Sequence, residues 1–323
     1  MAVPTGTTQT YAQIGIREDL TDIIYDISPT ETPFLTKAGR GKATQTNHEW
    51  QTDALLAAAS NRVIEGDDAT IDTIVATVRL NNYCQISDKA ISVSGTSNAV
   101  NTAGRKKELS YQIMKRGKEL KRDMELALTN NQASSAGGAG TARSLASVES
   151  WLNNNYTSIG AGTAQTTPGF AAGVVAAPTD STVTGTLTEA VFKSLIQQIW
   201  SDGGDASWIL VGPTAKQKIS GFTGIATQYR DNKGTEQATI LAAADVYVSD
   251  FGVHNIIPDR FSRDRTILML DMEYWAVSYL RPFQQAELAK TGDSEKRQML
   301  VEYTLEARNH ASSGKIADVN GLL

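Results

Sequence analysis

Hydrophobic residues recur at mostly four-residue steps between Thr102 and Asn131, which is the spacing of one face of an α-helix. The residues on that face are Leu109, Ile113, Leu120, Met124 and Leu128. The other faces carry eight basic and four acidic side chains, so the segment has a net charge of +4. The pattern predicts one long helix over residues 103–130, and this helix is the clearly basic element of the sequence.

A second periodicity, the alternation of apolar and polar residues, indicates half-buried β-strands. It extends over residues 298–308, and it recurs over residues 71–80. Residues 48–56 form a second limb before residues 71–80, so we predict a long hairpin with an acidic tip. The acidic residues of this tip are Asp53, Glu65, Asp67, Asp68 and Asp72, against Arg62.

Shorter signals complete the prediction of an α+β fold. Thr186 and Glu189 have the spacing of a capping box, so a helix is predicted to begin there and to end near Gly203. A short helix is expected over residues 214–219. Further strands are predicted over residues 208–211, 246–248, 254–257, 267–270 and 274–280.

Two segments have compositions typical of irregular structure. Pro29 and Pro33 lie so close together that they are expected to break any helix around them, which leaves an extended arm after a short helix at residues 19–27. Residues 133–186 consist mainly of Ala, Gly, Ser, Thr and Asn, which indicates loops and a long insertion. An arm and a long hairpin bury too little of their own surface to offset the entropy of ordering them. We therefore expect neighbouring copies of the chain to cover both.

Composition argues against several classes of protein. The chain of 323 residues has no apolar run near the roughly 20 residues of a membrane span, and its first residues resemble no secretory signal. The single cysteine, Cys84, cannot form an internal disulfide, and three histidines leave little capacity for zinc. A net charge of -5 does not suit a protein that grips nucleic acid over a broad basic face. We expect a protein of the cytoplasm without a membrane partner.

Motifs for catalysis are incomplete. The pair His48-Glu49 lacks the second histidine of a zinc-protease helix, and residues 39–42 lack the leading glycine of a phosphate loop and are predicted to form a basic turn. Cys84 is expected to be a small buried residue, and His254 and His310 are expected to be structural. Asp67 and Asp68 are interpreted as a solvated turn rather than a metal pair. We therefore expect no enzyme, no metal and no cofactor.

The basic helix over residues 103–130 has two interpretations. Charged residues on long helices usually form a solvated face, and no aromatic residues are interleaved here for stacking on bases. A face that contacts nucleic acid is the alternative, and it would make the chain a nucleic-acid-binding scaffold protein.

The order of these parts resembles the Hong Kong 97-type fold of tailed-phage major capsid proteins. The segments that carry the resemblance are residues 17–25 (REDLTDIIY), 28–34 (SPTETPF), 48–53 (HEWQTD) and 287–302, which includes AKTGD at 289–293. The resemblance implies an N-arm, an E-loop hairpin, a peripheral domain with a long spine helix, and an axial domain. The implied ranges are 1–47 for the N-arm, 48–93 for the E-loop, 94–133 for the peripheral domain with its spine helix, 134–280 for the axial domain with the small-residue insertion, and 281–323 for the returning peripheral strands and tail.

The same resemblance implies a function and partners. It implies a major capsid protein that self-assembles into hexamers and pentamers, encloses double-stranded DNA in an icosahedral head, and is assembled in the bacterial host cytoplasm. No charge-rich helical segment precedes the arm, so a separate scaffolding protein is expected, together with a portal protein and a decoration protein. Contact with packaged DNA is expected to be non-specific.

Two hypotheses concern particular residues. In the resembled fold the E-loop reaches over an adjacent subunit, so the acids of one copy are expected to lie near basic residues of another. Asp67 and Asp68 are the candidates on the hairpin, and the candidates opposite them are Lys115, Arg116 and Lys118. Gly117 interrupts the long helix with a residue of low helix propensity, and we expect it to be a hinge.

Overall fold

The computed structural model describes residues 28–68, 71, 74–100, 102, 104–160, 170–171, 173–222 and 245–320. The α-helices within these ranges are α1 (Pro33–Lys37), α2 (Gly95–Ala99), α3 (Glu108–Thr129), α4 (Val148–Trp151), α5 (Glu189–Ser201) and α6 (Pro213–Ser220). The strands are β1 (Gly39–Lys42), β2 (Asn47–Thr52), β3 (Val78–Tyr83), β4 (Gln85–Ser94), β5 (Asn155–Ser158), β6 (Phe170–Ala171), β7 (Val174–Val175), β8 (Trp208–Val211), β9 (Val246–Ser249), β10 (Gly252–Pro258), β11 (Ile267–Leu270), β12 (Trp275–Leu288), β13 (Ser294–Ala307) and β14 (Gly314–Ala317). The predicted α+β class is confirmed.

One layer of the subunit is a four-stranded sheet in the order β1, β12, β13, β4, against which the long helix α3 packs. Strands β12 and β13 form an antiparallel ribbon in which Trp275 lies opposite Ala307.

The strand predicted over residues 298–308 is confirmed, and Val301 and Tyr303 are buried as expected. The prediction of a half-buried strand was wrong in its middle, because Glu302 and Thr304 on the polar face are buried as well. The strand itself begins earlier than predicted, at Ser294.

The other layer is a six-stranded sheet in the order β5, β14, β11, β8, β10, β9. Its central strands are apolar on both faces. In β8, Trp208 and Leu210 join the core beneath α3, whereas Ile209 and Val211 join the core beneath α5 and α6. This sheet therefore separates two hydrophobic cores and contributes to both, which ties the two halves of the subunit together.

Most predicted elements of the six-stranded sheet are confirmed. Strands β8 and β11 coincide with the predicted ranges, and β9 and β10 extend theirs by one or two residues. Helix α5 has Thr188 as its N-cap, with the side chain accepting the Val191 N–H at 3.5 Å, so the prediction of Thr186 as the cap was wrong. The helix ends before Gly203, whose φ of 85° is incompatible with a right-handed helix, as predicted.

The start of the long helix was predicted too early. Helix α3 begins at Glu108, whereas the periodicity placed its start near residue 103. Gly104 has a φ of 77°, and Thr102 forms an isolated β-bridge with Arg105. A residue with positive φ cannot continue a right-handed α-helix. The prediction of a helix over residues 103–130 is therefore correct only from Glu108 to Thr129.

Two predictions near the N-terminus were wrong. Pro33 begins helix α1 instead of breaking one, because the first position of a helix needs no N–H donor. Residues Gly39–Lys42 form strand β1, parallel to β12, and not a basic turn. The predicted helix over residues 19–27 lies outside the described residues. The extended arm expected after it was wrong from Pro33 on, because α1 and β1 form there.

The small-residue segment over residues 133–186 is mostly irregular where it is described, as expected, but the expectation that it is surface decoration was wrong. Its completely buried apolar residues are Leu145, Ala146, Val148, Trp151, Leu152 and Val175. The Trp151 ring stacks on Phe170 at 6.0 Å between centroids and lies 5.5 Å from the Trp50 ring. These aromatic contacts make the segment part of the core beneath α3.

A buried carboxylate joins α1 to α3. The two oxygens of Glu125 accept the N–H groups of Phe34 at 2.7 Å and Leu35 at 2.8 Å. These N–H groups lie in the first turn of α1, where a helix leaves its donors without partners. Burial raises the pKa of Glu125 to about 7, although the two N–H groups favour the ionised form. The negative charge of Asp259 acts in the same direction as burial.

We predict that Trp151→Ala lowers the free energy of unfolding of the unassembled subunit by about 3 to 5 kcal/mol, because it leaves a large cavity in the core. Chemical denaturation measures this change. Trp200→Ala is the matched control, since the Trp200 side chain is 58% exposed. We expect a loss of about 1 kcal/mol or less at Trp200. Equal losses at the two positions would contradict the placement of Trp151.

We predict that Glu125 makes the subunit less stable as the pH rises. Its folded-state pKa of about 7 lies above the ordinary value of 4.5, so its favourable contribution is complete below 4.5 and is lost as the pH rises through 7. Relative to Glu125→Gln, the parent should lose about 3 kcal/mol of unfolding free energy over that range. Urea denaturation across this pH range tests the difference. Glu119→Gln, on the same helix, is the control and should keep the parent's pH dependence. If the Glu125→Gln variant also keeps that pH dependence, Glu125 is not its cause.

Candidate assembly surfaces

The predicted hairpin is present, but only its base is paired. Strands β2 and β3 are antiparallel, with Asn47 opposite Tyr83 and Thr52 opposite Val78. Residues 53–77, where they are described, form no strand, so the prediction of a strand from residue 71 was wrong for the residues before Val78. The hairpin therefore consists of a short paired base and a long unpaired excursion.

Hydrogen bonds fix the base of the hairpin to the rest of the subunit. The buried Asn82 amide donates to the Leu305 carbonyl at 2.8 Å and accepts the Ala146 N–H at 2.8 Å. The Trp50 indole N–H donates to the Ala307 carbonyl at 2.9 Å. Each hairpin strand is thus bound to strand β13, and β3 is bound to the small-residue segment as well.

A charged cluster on β13 reinforces the base. The Nε2 atom of His48 lies 3.3 Å from a carboxylate oxygen of Glu306, and Ser278 and Arg308 donate hydrogen bonds to the same carboxylate. The hydrogen bond with His48, together with those from Arg308 and Ser278, lowers the pKa of Glu306 to about 2. The carboxylate is therefore ionised at neutral pH and holds β2 against the sheet.

The tip of the hairpin is uncovered. Its described apolar side chains are all at least 64% exposed, and they are Leu55, Leu56, Val63, Ile64, Ile71, Ile74 and Val75. Asp67 and Asp68 follow a turn at Gly66, where φ is 87°, and both are exposed, as predicted for a solvated turn. So many uncovered apolar residues in one segment are typical of a contact with another protein.

The candidate residues on α3 differ in their surroundings. Lys115 and Lys118 are exposed, whereas Arg116 forms an ion pair with Glu119 at 2.5 Å on the same helix. A Cβ atom added to Gly117 would lie 3.3 Å from the Met299 methyl group, so the glycine allows α3 to approach β13 closely. The pairing of Lys115, Arg116 and Lys118 with hairpin acids of another copy stays a prediction, and so does the hinge at Gly117.

Helix α3 is less basic than its predicted range suggested. Residues Glu108–Thr129 include five basic and four acidic side chains, a net charge of +1, because three basic residues of the predicted helix precede it. Ion pairing lowers the free charge further, for example between Lys89 and Asp123 at 2.6 Å. The exposed lysines of this region that lack an ion pair within the described ranges are Lys106, Lys107, Lys115, Lys118 and Lys121. This modest charge gives no support to the nucleic-acid-binding alternative.

A buried ionic network, which the sequence analysis missed, lies under the small-residue segment. Arg263 donates to both carboxylate oxygens of Glu149 at 3.0 Å, and Arg265 donates to Asp318 at 2.8 Å. Burial lowers the pKa of Lys315 to about 8, and its ammonium group donates to the Glu149 carbonyl at 3.0 Å. Opposite charges meet throughout the network, so removal of one partner would leave an uncompensated buried charge at the junction of α4 and β14.

The other candidate residues have structural surroundings. Cys84 is buried, and burial raises the pKa of its thiol to about 11, which disfavours the reactive thiolate. His254 is held between the Ala206 carbonyl at 2.6 Å and the Ser249 hydroxyl at 2.7 Å. Across the described ranges, no cluster of His, Cys, Asp and Glu could hold a metal ion. None of the described helices combines the length and hydropathy needed to cross a membrane.

Known proteins resemble this chain over nearly its whole length. The family model described as the SU10 major capsid protein matches residues 3–320. The major capsid protein of Escherichia phage Phieco32 is 28% identical over 339 residues, which cover 96% of each protein. The cyanophage A-1(L) capsid structure matches with a TM-score of 0.67 at 14% identity, covering 94% of this chain and 97% of that one. The phage G major capsid protein, solved with gp26 decoration proteins, matches with a TM-score of 0.53 at 10% identity, covering 99% and 100%.

The structural matches show a shared fold, and the Hong Kong 97-type fold that the sequence resembled is confirmed. The match to the family model extends far beyond any single motif, and the uncovered hairpin is the geometry expected of a subunit that functions in a shell. Capsid proteins are structural proteins of the virion rather than a class of enzyme. This chain belongs to the SU10 major capsid protein family and is a major capsid protein of a phage.

Proposed function

We propose that the chain assembles into hexamers and pentamers that close into an icosahedral head around double-stranded DNA. The observation that carries the proposal is the hairpin, whose base is fixed to its own subunit while its tip exposes seven apolar side chains. In a shell of identical subunits, the surface available to cover that tip is the next copy. We also propose the division of the chain into an N-arm (1–47), an E-loop (48–93), a spine-helix segment (94–133), an axial segment (134–280) and a returning segment (281–323).

Apolar burial is the larger contribution to this contact. Full burial of a Leu, Ile or Val side chain stabilises a complex by about 1.5 to 3 kcal/mol, whereas an exposed ion pair contributes about 0 to 1 kcal/mol. The tip has seven such apolar residues, so they can outweigh the entropy lost when the tip becomes ordered. We assign affinity to the apolar residues, and orientation and approach to the acids.

The acids of the tip are proposed to lie near free lysines of the next copy. Asp67 and Asp68 are exposed and follow the turn, and Lys115 and Lys118 are exposed on α3 without an ion pair among the described residues. Arg116 is a weaker candidate because Glu119 already neutralises it at 2.5 Å. The closed shell repeats each contact many times, so a small local contribution affects assembly more than it affects folding.

Other partners follow from the same role. We propose a separate scaffolding protein, a portal protein and assembly in the bacterial host cytoplasm. The phage G relative was solved with gp26 decoration proteins, and we include a decoration protein among the partners for that reason. Contact with packaged DNA is proposed to be non-specific, because α3 carries a net charge of only +1.

We predict that the apolar and acidic residues of the tip affect assembly differently. Leu55→Ser with Ile74→Ser should lower the yield of shells at every salt concentration, because it removes apolar burial. Asp67→Lys with Asp68→Lys should lower the yield at low salt only, since about 1 M salt shortens the screening length to about 3 Å. Sedimentation and electron microscopy measure shell yield in both conditions.

Melting of the unassembled subunits separates assembly from folding in this experiment. Both double variants should melt like the parent, because the four side chains are exposed in the subunit. If the aspartate variant assembles like the parent at low salt, the charge pairing is wrong. If the Leu55 and Ile74 variant assembles normally, the tip is not the contact between copies and the proposed mode of assembly fails.

We predict that Gly117→Ala hinders a change in the curvature of α3 between immature and mature heads. Glycine inside a helix costs about 1 kcal/mol relative to alanine, so its presence favours a role in bending or close packing. Imaging of both states should show a smaller curvature change and slower expansion in the variant. The added methyl group also approaches Met299 at 3.3 Å, so Gly117→Ala with Met299→Ala is the control for packing. If Met299→Ala restores normal expansion to the Gly117→Ala variant, Gly117 serves close packing and the hinge hypothesis is wrong.

A further inference from the structure

A second uncovered apolar surface lies at the free edge of the six-stranded sheet. Trp200, near the end of α5, is 58% exposed, and its ring lies 5.1 Å from that of Phe251 in the turn between β9 and β10. Exposed tryptophan is enriched where proteins bind one another, because the ring buries a large area at a small loss of entropy. The pair of rings therefore indicates a contact surface away from the hairpin.

The β9–β10 ribbon beside these rings is covered on one face. Val248 lies opposite Val253, and both are more than half exposed on the outward face of the ribbon. Tyr247 and His254, on the other face, are buried, and the Tyr247 ring packs on Phe192 of α5 at 5.1 Å. No described element covers the valine face, so the ribbon is apolar on both sides but protected on one.

The backbone of β9 has a free side within the described part of the chain, because β9 is the last strand of its sheet. Exposed edges accept a further strand from another chain unless lysine, proline or a bulge blocks them. Strand Val246–Ser249 contains neither lysine nor proline. The edge can therefore take up an extended segment by main-chain hydrogen bonding.

Acidic residues lie next to the two aromatic residues of this surface in the sequence. Asp202, Asp205 and Asp250 lie close in sequence to the two aromatic residues, are exposed, and have no basic partner among the described residues. The lysines of this region, Lys193 and Lys216, are already ion-paired with acids at 2.8 and 3.0 Å. The uncompensated charge of the rim is negative, so a positively charged partner fits it.

We propose that this surface, the edge site, binds an extended basic segment of a separate protein. The edge site consists of strand β9, Val253, Trp200, Phe251 and the acids Asp202 and Asp250. In this segment, apolar residues alternate with lysine or arginine. The apolar side of the added strand then contacts the valines and the aromatic rings. The cations of the segment then lie beside the acids. This inference concerns a partner and does not depend on how the hairpin tip is covered.

Charge disfavours a second copy of this chain as the occupant. Two edge sites facing each other bring acids together, and the hairpin tip also carries acids, Asp67 and Asp68. The free lysines near α3 mostly lie on a helix, which cannot add a strand to a sheet edge. Arg40 and Lys42 are exposed on strand β1, but the residues that alternate with them are glycines, which offer no apolar side chain to the valines. The required combination of positive charge and extended backbone therefore points to a different polypeptide.

A pair of synthetic peptides tests the proposal on full-length subunits and on assembled shells. The probe alternates lysine and valine, and its control alternates glutamate and valine. We expect the lysine peptide to bind and to shift the tryptophan emission to shorter wavelength, because Trp200 is the most exposed of the five tryptophans. Trp200→Phe should remove the shift while it leaves binding largely intact.

Charge-swap variants locate the binding. Asp202→Lys with Asp250→Lys should weaken binding of the lysine peptide at least about tenfold and should strengthen binding of the glutamate peptide. Phe283→Ala, which changes an exposed aromatic residue on β12, is the control and should bind like the parent. Failure of the parent to bind the lysine peptide, or equal binding by the parent and the charge-swap variant, overturns the proposal.

Shell formation by the charge-swap variant distinguishes this proposal from the proposed mode of assembly. The variant should form shells with the parent's yield, because the edge site is assigned to another protein. Loss of shells with unchanged melting of the subunit would make the edge site a contact between copies and would overturn the inference. The hairpin variants, in contrast, should bind the lysine peptide like the parent even where they fail to assemble.

Discussion

The structure of this subunit depends on a hairpin that is fixed where it leaves the sheet and uncovered where it ends. Asn82 provides the fixed point, because its buried amide bonds both Leu305 on β13 and Ala146 in the small-residue segment. A buried amide that loses a partner destabilises the fold by about 1 to 3 kcal/mol, so both neighbours must be in place together. This requirement explains why Ala146 and Trp151 lie in the core rather than in a surface decoration.

The two uncovered surfaces belong to different cores, and the shared sheet separates them. The hairpin base rests on the core beneath α3, where Trp50 packs, whereas Tyr247 anchors the edge ribbon in the core beneath α5. Strand β8 contributes alternate residues to both cores, so neither surface can shift without disturbing the sheet that both cores share. A subunit built in this way presents separate contacts that share one central sheet, which suits an assembly with several partners.

Periodicity predicted the elements whose burial is completed inside the subunit. Residues 298–308 and the face of α3 from Leu120 to Leu128 are examples, because each pattern is local and its core is present. The same alternation over residues 71–80 predicted a strand that forms only from Val78 on, since Ile74 is 95% exposed and no described part of the subunit covers it. Trp151 and Glu125 were missed because their partners are distant in sequence: Glu125 binds N–H groups about 90 residues away, which no local pattern records.

The distribution of charge limits which partners the two surfaces can share. The hairpin tip and the sheet edge are both acidic and both apolar, yet the lysines left free near α3 are mostly presented by a helix, with a net charge of only +1. Side chains on a helix can receive an acidic tip, but a helix cannot extend a sheet. If the tips occupy those lysines around a closed shell, the sheet edge requires its cations from elsewhere. Strand β1 exposes Arg40 and Lys42, but it alternates them with glycines and not with the apolar residues that would contact the valines. In the proposed assembly, the acidic and apolar strand edge of each subunit is therefore selective for partners of opposite charge.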